Sequence, residues 1–436
     1  MIAGLGQTLG VYRDRRMALI LVLGFSSGLP LALTLATLSA WLAGAGISRT
    51  TIGLFALVGL PYALKFLWSP IVDGLHLPGL TARLGRRRGW MLFSQGLLVL
   101  AIGGLGLTDP SHDPLTTAML ALSVAFLSAT QDIVIDAFRV EILQEREQGA
   151  GAAAVQLGYR LGMLVSGAGA LYIADAYGFT VAYGVMAVGM AVGMAATLFA
   201  REPAPPASVT LPSPEGGRPA AFAGWLHRHV VLPFADFTAR PGWIAVVCFI
   251  LLYKFGDAIA GVMANPFFIA LGFSLSEIAS ITKLFGIAAT LVGAVAGGIV
   301  VMRMGIFRAL LICGILQMAS NLMFAVQALA GADAWVLIAT IAAENFSGGM
   351  GTAAFVAYLS RLCSFAFTAT QYALFSSLAA VGRTVLSSGG GWLADQLDWF
   401  WFFITTTACA IPGLLVLVWL MRREAMTASP EIAAGD

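Results

Sequence analysis

The sequence predicts an all-α polytopic membrane protein of twelve transmembrane helices in two six-helix bundles. Three observations lead there. The 436 residues are 59% hydrophobic and only 11% charged, with mean hydropathy +0.88, a balance no soluble domain shows. The apolar residues fall into runs of about 20 or more, long enough to cross a ~30 Å hydrocarbon core as helices and without the alternation of a membrane β-barrel. The basic residues between the runs lie almost wholly on one side.

Taken in order, the apolar stretches fall at 17–43, 51–72, 90–107, 115–140, 150–174 and 179–200, here spans 1 to 6. Spans 7 to 12 fall at 242–271, 276–302, 308–328, 334–361, 370–394 and 399–421. Span 1 follows a basic VYRDRR segment, but it is too long for a signal-peptide core and no small-residue cleavage site follows, so it reads as a retained span. Residues 1–200 form the first predicted bundle, 201–241 a cytoplasmic linker, and 242–436 the second bundle. The linker begins proline-rich and ends in WLHRHVVLPF, which suits a short interfacial helix.

Of the 24 Lys and Arg, five lie deep inside spans, 18 at or beyond span ends on the side shared by both termini, and one, Arg49, opposite. By the positive-inside rule both termini are cytoplasmic. The net charge of +2 says nothing about partners. Cys248, Cys313, Cys363 and Cys409 are far apart, with neither disulfide nor metal-ligand spacing, and read as packing residues. GFSSG (24–28) matches the nucleophile-elbow pattern, and GAGAAA (149–154) a dinucleotide glycine pattern. Both lie in or open apolar helices, and all four histidines are in loops or the linker, so small-residue helix packing explains them better.

Intramembrane charge recurs every three spans. Spans 2, 5, 8 and 11 each carry one cation: Lys65, Arg160, Lys283 and Arg383. Spans 4, 7 and 10 carry the acids Asp132, Asp257 (with Lys254) and Glu344, and spans 3, 6, 9 and 12 carry none in their interiors. GYRLGMLVSGAGALYIAD (158–175) and GRTVLSSGGGWLAD (382–395) share an arginine after glycine, a Ser-Gly cluster and a terminal Ala-Asp. A three-helix period repeated four times resembles the 3 + 3 repeats of major facilitator transporters. The uncharged helices would then face lipid, and the charged ones would line a central path. Ionisable groups at membrane depth are costly and functional by default.

The 2–3 loop, DGLHLPGLTARLGRRRGW (73–90), resembles with an insertion the cytoplasmic gate signature of those transporters. Asp73, Arg86, Arg87, Arg88, Asp136 and Arg139 would form a charge latch at that end. Asp132 lies one turn from Asp136 on the same face, and two readings stand: a static ion pair with Lys65, or a carboxylate that exchanges protons, joined by Asp257 and Glu344. Five intramembrane cations against these three acids suit an anionic solute, contacted by Lys65, Arg160, Lys254 and Arg383. Gln131, Asn265, Asn345 and Gln371 are candidate hydrogen-bond donors to it, and Trp41 or Trp68 candidate stacking surfaces. Helix breakers predict hinges at Gly28 with Pro30, at Pro266, and at Gly349 within FSGGMG.

Several stretches carry a fuller resemblance: FSSGLPLALT (25–34), LKFLWSPIVD (64–73), GRRRGW (85–90), SATQDIVIDAF (128–138), GAGAAAVQLGYRLGMLVSG (149–167), LYKFGDA (252–258) and FTATQYALFSSL (367–378). Through them the chain resembles the AmpG muropeptide permeases, a branch of the major facilitator superfamily related to acetyl-CoA transporters. The resemblance implies a multi-pass protein of the bacterial inner membrane, not an enzyme. It implies proton-driven import of N-acetylglucosamine–1,6-anhydro-N-acetylmuramic acid, with or without peptide, for peptidoglycan recycling and, in some bacteria, β-lactamase induction. The expected partners are a small anionic glycopeptide, protons and the bilayer, with no nucleic acid and a monomeric chain. No cofactor is expected beyond the proton gradient. A carrier for another anion, such as an acyl-CoA-like solute, is the alternative.

Overall fold

The computed structural model describes residues 10–47, 55–204, 224–387 and 389–428. Every regular element among them is helical, and helices lie on each of the twelve predicted stretches. Nine described helices are individually long and apolar enough to cross a membrane, and Ala334–Leu362 with Phe365–Arg383 pass the same test as a pair. Arg49 and the Lys283 side chain lie outside the described residues.

Local chemistry sets several helix starts. Asp14, Asp113 and Asp398 each accept a backbone N–H of the first turn that follows, from Arg16 at 2.8 Å, Thr116 at 3.0 Å and Trp401 at 3.0 Å. Such caps contribute about 1 kcal/mol each. Arg16 also donates its guanidinium to Asp14, and together these bonds hold the Asp14 carboxyl below its usual pKa. Gly305 (φ +78°) makes a one-residue corner between Ile287–Met304 and Ile306–Ala330, a conformation that a Cβ disfavours.

Span 2 is broken into Leu60–Leu64, a tight turn at Lys65–Leu67, and Ser69–Gly74. Pro61 and Pro70 each sit in the opening turn of a piece, where a missing N–H costs nothing. The breaks place Lys65 on the turn between them. In span 1, Pro30 lies inside the Arg15–Thr34 helix, and the chain leaves helical geometry at Leu35, one turn on. FSGGMG stays helical throughout Ala334–Leu362. In span 7 the helix is interrupted at Tyr253–Lys254, upstream of Pro266, which lies within Phe255–Ala270.

Glycines decide which spans touch. A Cβ on Gly24 or Gly28 would overlap the carbonyl oxygens of Val155 and Tyr159, and one on Gly158 or Gly162 would overlap those of Leu21 and Phe25. Two glycine pairs at four-residue spacing therefore bring the backbones of spans 1 and 5 together, the packing expected of GFSSG. Gly293 and Gly297 meet Phe346 and Met350 of span 10 in the same way, and Gly349 meets Thr290. Replacing Gly28 by leucine is expected to destabilise the protein by at least about 1–3 kcal/mol through overpacking. Thermal unfolding in detergent checks this, and a wild-type midpoint would contradict it.

The chain forms two compact units. The first comprises 1–145, 154–236 and 362–377; the second comprises 146–153, 237–361 and 378–436. The first has cores around Leu33, Leu98, Val124 and Tyr183, and around Trp90, Ile133, Phe138 and Ala373. The second is centred on an aromatic cluster of Phe267, Phe268, Phe324, Phe402 and Phe403. Spans 3, 6, 9 and 12 expose large apolar side chains such as Leu100, Val188, Val326 and Leu415, which hydrocarbon solvates without cost.

Candidate functional site

The first unit contains a buried ion cluster at the start of span 3. Arg87, fully buried, reaches Asp73 at 2.9 Å and Glu141 at 2.5 Å, while Arg86 lies 3.7 Å from Asp73 and 3.3 Å from Glu141. Glu202 completes the arrangement from the far end of span 6. Its carboxylate accepts the backbone N–H groups of Arg87 (2.7 Å) and Arg88 (3.0 Å), capping the Arg86–Gly106 helix where its dipole favours an anion. Gly85 precedes it with φ +92°, and a Cβ there would overlap Glu202. Arg88 turns away from the acids and donates to the carbonyls of Thr197 and Leu198.

Asp73 also accepts both the N–H (2.7 Å) and the hydroxyl (2.8 Å) of Thr370, in the first turn of Thr368–Ser387. One buried carboxylate thus serves an arginine of span 3 and the start of span 11. Beside it Gln371, fully buried, accepts from the Ser364 N–H and donates to the Pro233 carbonyl and the Asp236 carboxylate. It therefore fastens the Leu232–Thr238 helix of the linker, and every polar group of its amide is engaged.

The WLHRHVVLPF stretch is helical, with a π turn at His227–Val231. The His229 ring lies against Gly74 and stacks near Trp225. Burial lowers the His229 pKa below its ordinary value; Asp73 opposes this, and Arg228, Arg86 and His76 add to it. The docked helix therefore binds fewer protons than the undocked one, so docking strengthens as pH rises through the imidazole range and weakens as pH falls. Hydrogen exchange of residues 225–238 is expected to speed up from about pH 8 to about pH 5 beyond its intrinsic trend, and His229→Gln to flatten that response.

A second group sits deeper in the same unit. Asp132 accepts a 2.5 Å hydrogen bond from Ser27, and Ser26 donates to Gln131 at 3.3 Å, while the Gln131 Nε2 is buried without a partner. Lys65 is 8% exposed and pairs with Asp136 at 3.6 Å. Lys65 thus forms its ion pair with Asp136, one helical turn along span 4 from Asp132, which it still attracts. Asp136 also lies 3.9 Å from Arg139, whose guanidinium covers the Tyr372 ring at 5.2 Å. Asp136 and Arg139 thus form a group of their own with Lys65. Lys65 and Asp136 are the charges that act on Asp132, and Tyr62 and Tyr159 lie within its field.

The second unit has a comparable group. Lys254, at the break in span 7, donates to the Gly348 carbonyl (3.3 Å) and the Thr352 hydroxyl (3.2 Å), and lies 3.9 Å from Asp257. Asp257 accepts from Asn321 at 3.3 Å, and its second oxygen is buried without a hydrogen bond. Asn345 donates to Glu344 at 2.7 Å and accepts from Thr290 at 3.0 Å. Glu344 and Arg383 are the other charges that act on Lys254.

Other expected contacts are placed differently. Arg160 and Arg383 are exposed and make no ion pair with a described residue, and Asn265 is exposed next to Pro266. Trp41 is buried in a stack with Phe179, and Trp68 packs on Phe126 while donating to Thr130, so both rings are engaged in packing. Glu141, Glu202, Thr370, Ser27, Asn321 and Thr290 are partners that sequence reasoning did not single out. Glu141 alone carried a signal, as a carboxylate two residues beyond Arg139 at the end of span 4.

The family model described as acetyl-coenzyme A transporter 1 matches residues 16–183. The anhydromuropeptide permease of Escherichia coli (strain K12) is 44% identical over 414 residues, 94% of this chain and 81% of that protein. Among solved structures, the E. coli fucose:proton symporter superposes with TM-score 0.68 at 12% identity, over 92% of this chain and 98% of that one. The proton:xylose symporter XylE gives TM-score 0.65 at 14% identity, over 93% and 94%. The architecture of the chain is therefore that of the major facilitator superfamily, and its helices make it a multi-pass membrane protein.

Proposed function

This chain belongs to the AmpG family of anhydromuropeptide permeases, transporters and not enzymes, and from that premise we propose that it imports anhydromuropeptides from periplasm to cytoplasm, coupled to protons. The observation that carries the reading is the 44% identity over 94% of the chain, a length that takes in both halves. The geometry supports it. A sugar–peptide cargo with free carboxylates needs cations that are not already neutralised, and Arg160 and Arg383 meet that need on spans 5 and 11. Proton exchange needs sheltered carboxylates held by neutral donors, and the partly buried Asp132 on Ser27, Asp257 on Asn321 and Glu344 on Asn345 meet that.

In this reading the Arg86–Arg87–Asp73–Glu141 cluster is a latch, and its link to Thr370 joins segments from the two halves of the sequence. The protein would sit in the inner membrane with both termini cytoplasmic. The match to an acetyl-coenzyme A transporter model gives a second reading, an acyl-CoA-like anion as cargo. Proteoliposomes with labelled sugar-only and peptide-bearing anhydromuropeptide, under an imposed pH step, separate the two. Uptake that follows the step and ignores excess acetyl-CoA is expected; uptake of acetyl-CoA alone would favour the second reading.

A further inference from the structure

Away from these charge clusters, a groove of about 900 Å³ opens where spans 1, 4 and 6 end together. Its body is apolar, walled by Leu19, Val22, Phe138, Val192, Ala195 and Phe199, with Phe199 72% exposed. Its rim is charged: Arg15, Arg16 and Arg201 face Asp14, Glu141 and Glu202. All three acids are committed elsewhere. Asp14 holds Arg16 at 2.7 Å, Glu141 holds Arg87, and Glu202 caps the Arg86–Gly106 helix. Arg15 and Arg201 are exposed and make no ion pair with a described residue, while Glu202 spends its carboxylate on backbone N–H groups and keeps its charge, so the rim is left with a net positive charge.

We propose that this groove binds an anionic phospholipid, its phosphate at Arg15 and Arg201 and its upper acyl chains against Leu19, Val22 and Phe199. From Arg15 to Val22 the helix descends about 10 Å, at 1.5 Å per residue, which carries the apolar wall from the headgroup level into the hydrocarbon. A soluble anion would satisfy the arginines and leave this wall bare. A zwitterionic lipid would fill the wall and offer a phosphate, but with no net charge it would leave the positive rim unneutralised. Only an amphiphile with net negative charge meets both halves of the site. The rim also lies on the side where 18 of the 24 basic residues gather, so the local surface attracts such lipids.

The test is native mass spectrometry of the full-length chain in detergent, titrated with phosphatidylglycerol or with phosphatidylcholine of the same acyl chains. Phosphatidylglycerol is expected to be retained in preference, with Arg15→Gln and Arg201→Gln each weakening retention about fivefold. Ala195→Trp, which fills the groove floor, is expected to abolish retention of both lipids. Displacement of bound lipid by inorganic phosphate would overturn the assignment. So would equal retention of the two lipids, or unchanged retention in the double arginine variant, which lies on the surface and leaves the core intact. Equal retention would make the groove a lipid contact without charge selectivity, and displacement by phosphate would give its rim to a soluble anion.

Discussion

Replacing Arg87 by leucine is expected to remove about 3–5 kcal/mol of stability, the cost of leaving buried charge without its partner. Arg87 is fully buried between Asp73 and Glu141, whose side chains are 2% and 4% exposed. Without the guanidinium two carboxylates face each other with only Arg86 near them, at 3.7 Å and 3.3 Å, and Arg86 is partly solvated. Asp73→Asn is the milder counterpart. An asparagine oxygen still accepts from Thr370, so the start of span 11 stays capped, while the attraction to Arg87 is lost. Unfolding midpoints in detergent, read with protease sensitivity of residues 362–377, separate the two. Midpoints for Arg87→Leu within error of wild type would show that the cluster holds nothing together.

Replacing Asp132 by asparagine is expected to abolish uphill accumulation while leaving cargo exchange across the membrane. A pH step of one unit stores about 1.4 kcal/mol per proton, enough for about tenfold accumulation at one proton per cargo. Asparagine keeps the volume and the hydrogen bond to Ser27 but cannot bind or release a proton. Accumulation should therefore fall from about tenfold to unity, while counterflow of labelled against unlabelled cargo persists. Retention of full accumulation by Asp132→Asn would move the coupling role to Asp257 or Glu344. Ser27→Ala should act in the same direction but more weakly, since it removes a donor that holds the carboxylate and leaves the carboxylate in place.

Much of this molecule could be read from periodicity. The apolar runs gave the helices. The four-residue spacing of Gly24 with Gly28 and of Gly158 with Gly162 anticipated close packing in place of catalysis. All of these are local properties, because a helix repeats its faces every few residues wherever it lies. Asp73 with Arg86 and Arg87 was legible as a charge cluster, since an acid followed by Arg86–Arg88 stands out in an apolar chain.

Their partners were not. Asp132 and Asp136 lie one turn apart on span 4, and only the fold, with span 2 broken at Lys65–Leu67, gives the lysine to Asp136. Glu202 reads as an ordinary residue at the head of a linker, and only the fold brings it 115 positions back to cap span 3. Gln371 suits a sugar contact by type but is used to pin the linker helix. Composition and spacing by themselves determined that this chain crosses the membrane repeatedly, which faces of each span are apolar, and which charges must be sheltered. The tertiary structure alone decided who shelters them, because an ion pair or cap between residues far apart in sequence depends on the register and rotation of two helices. Those are fixed by the packing of entire surfaces and are not written in either segment.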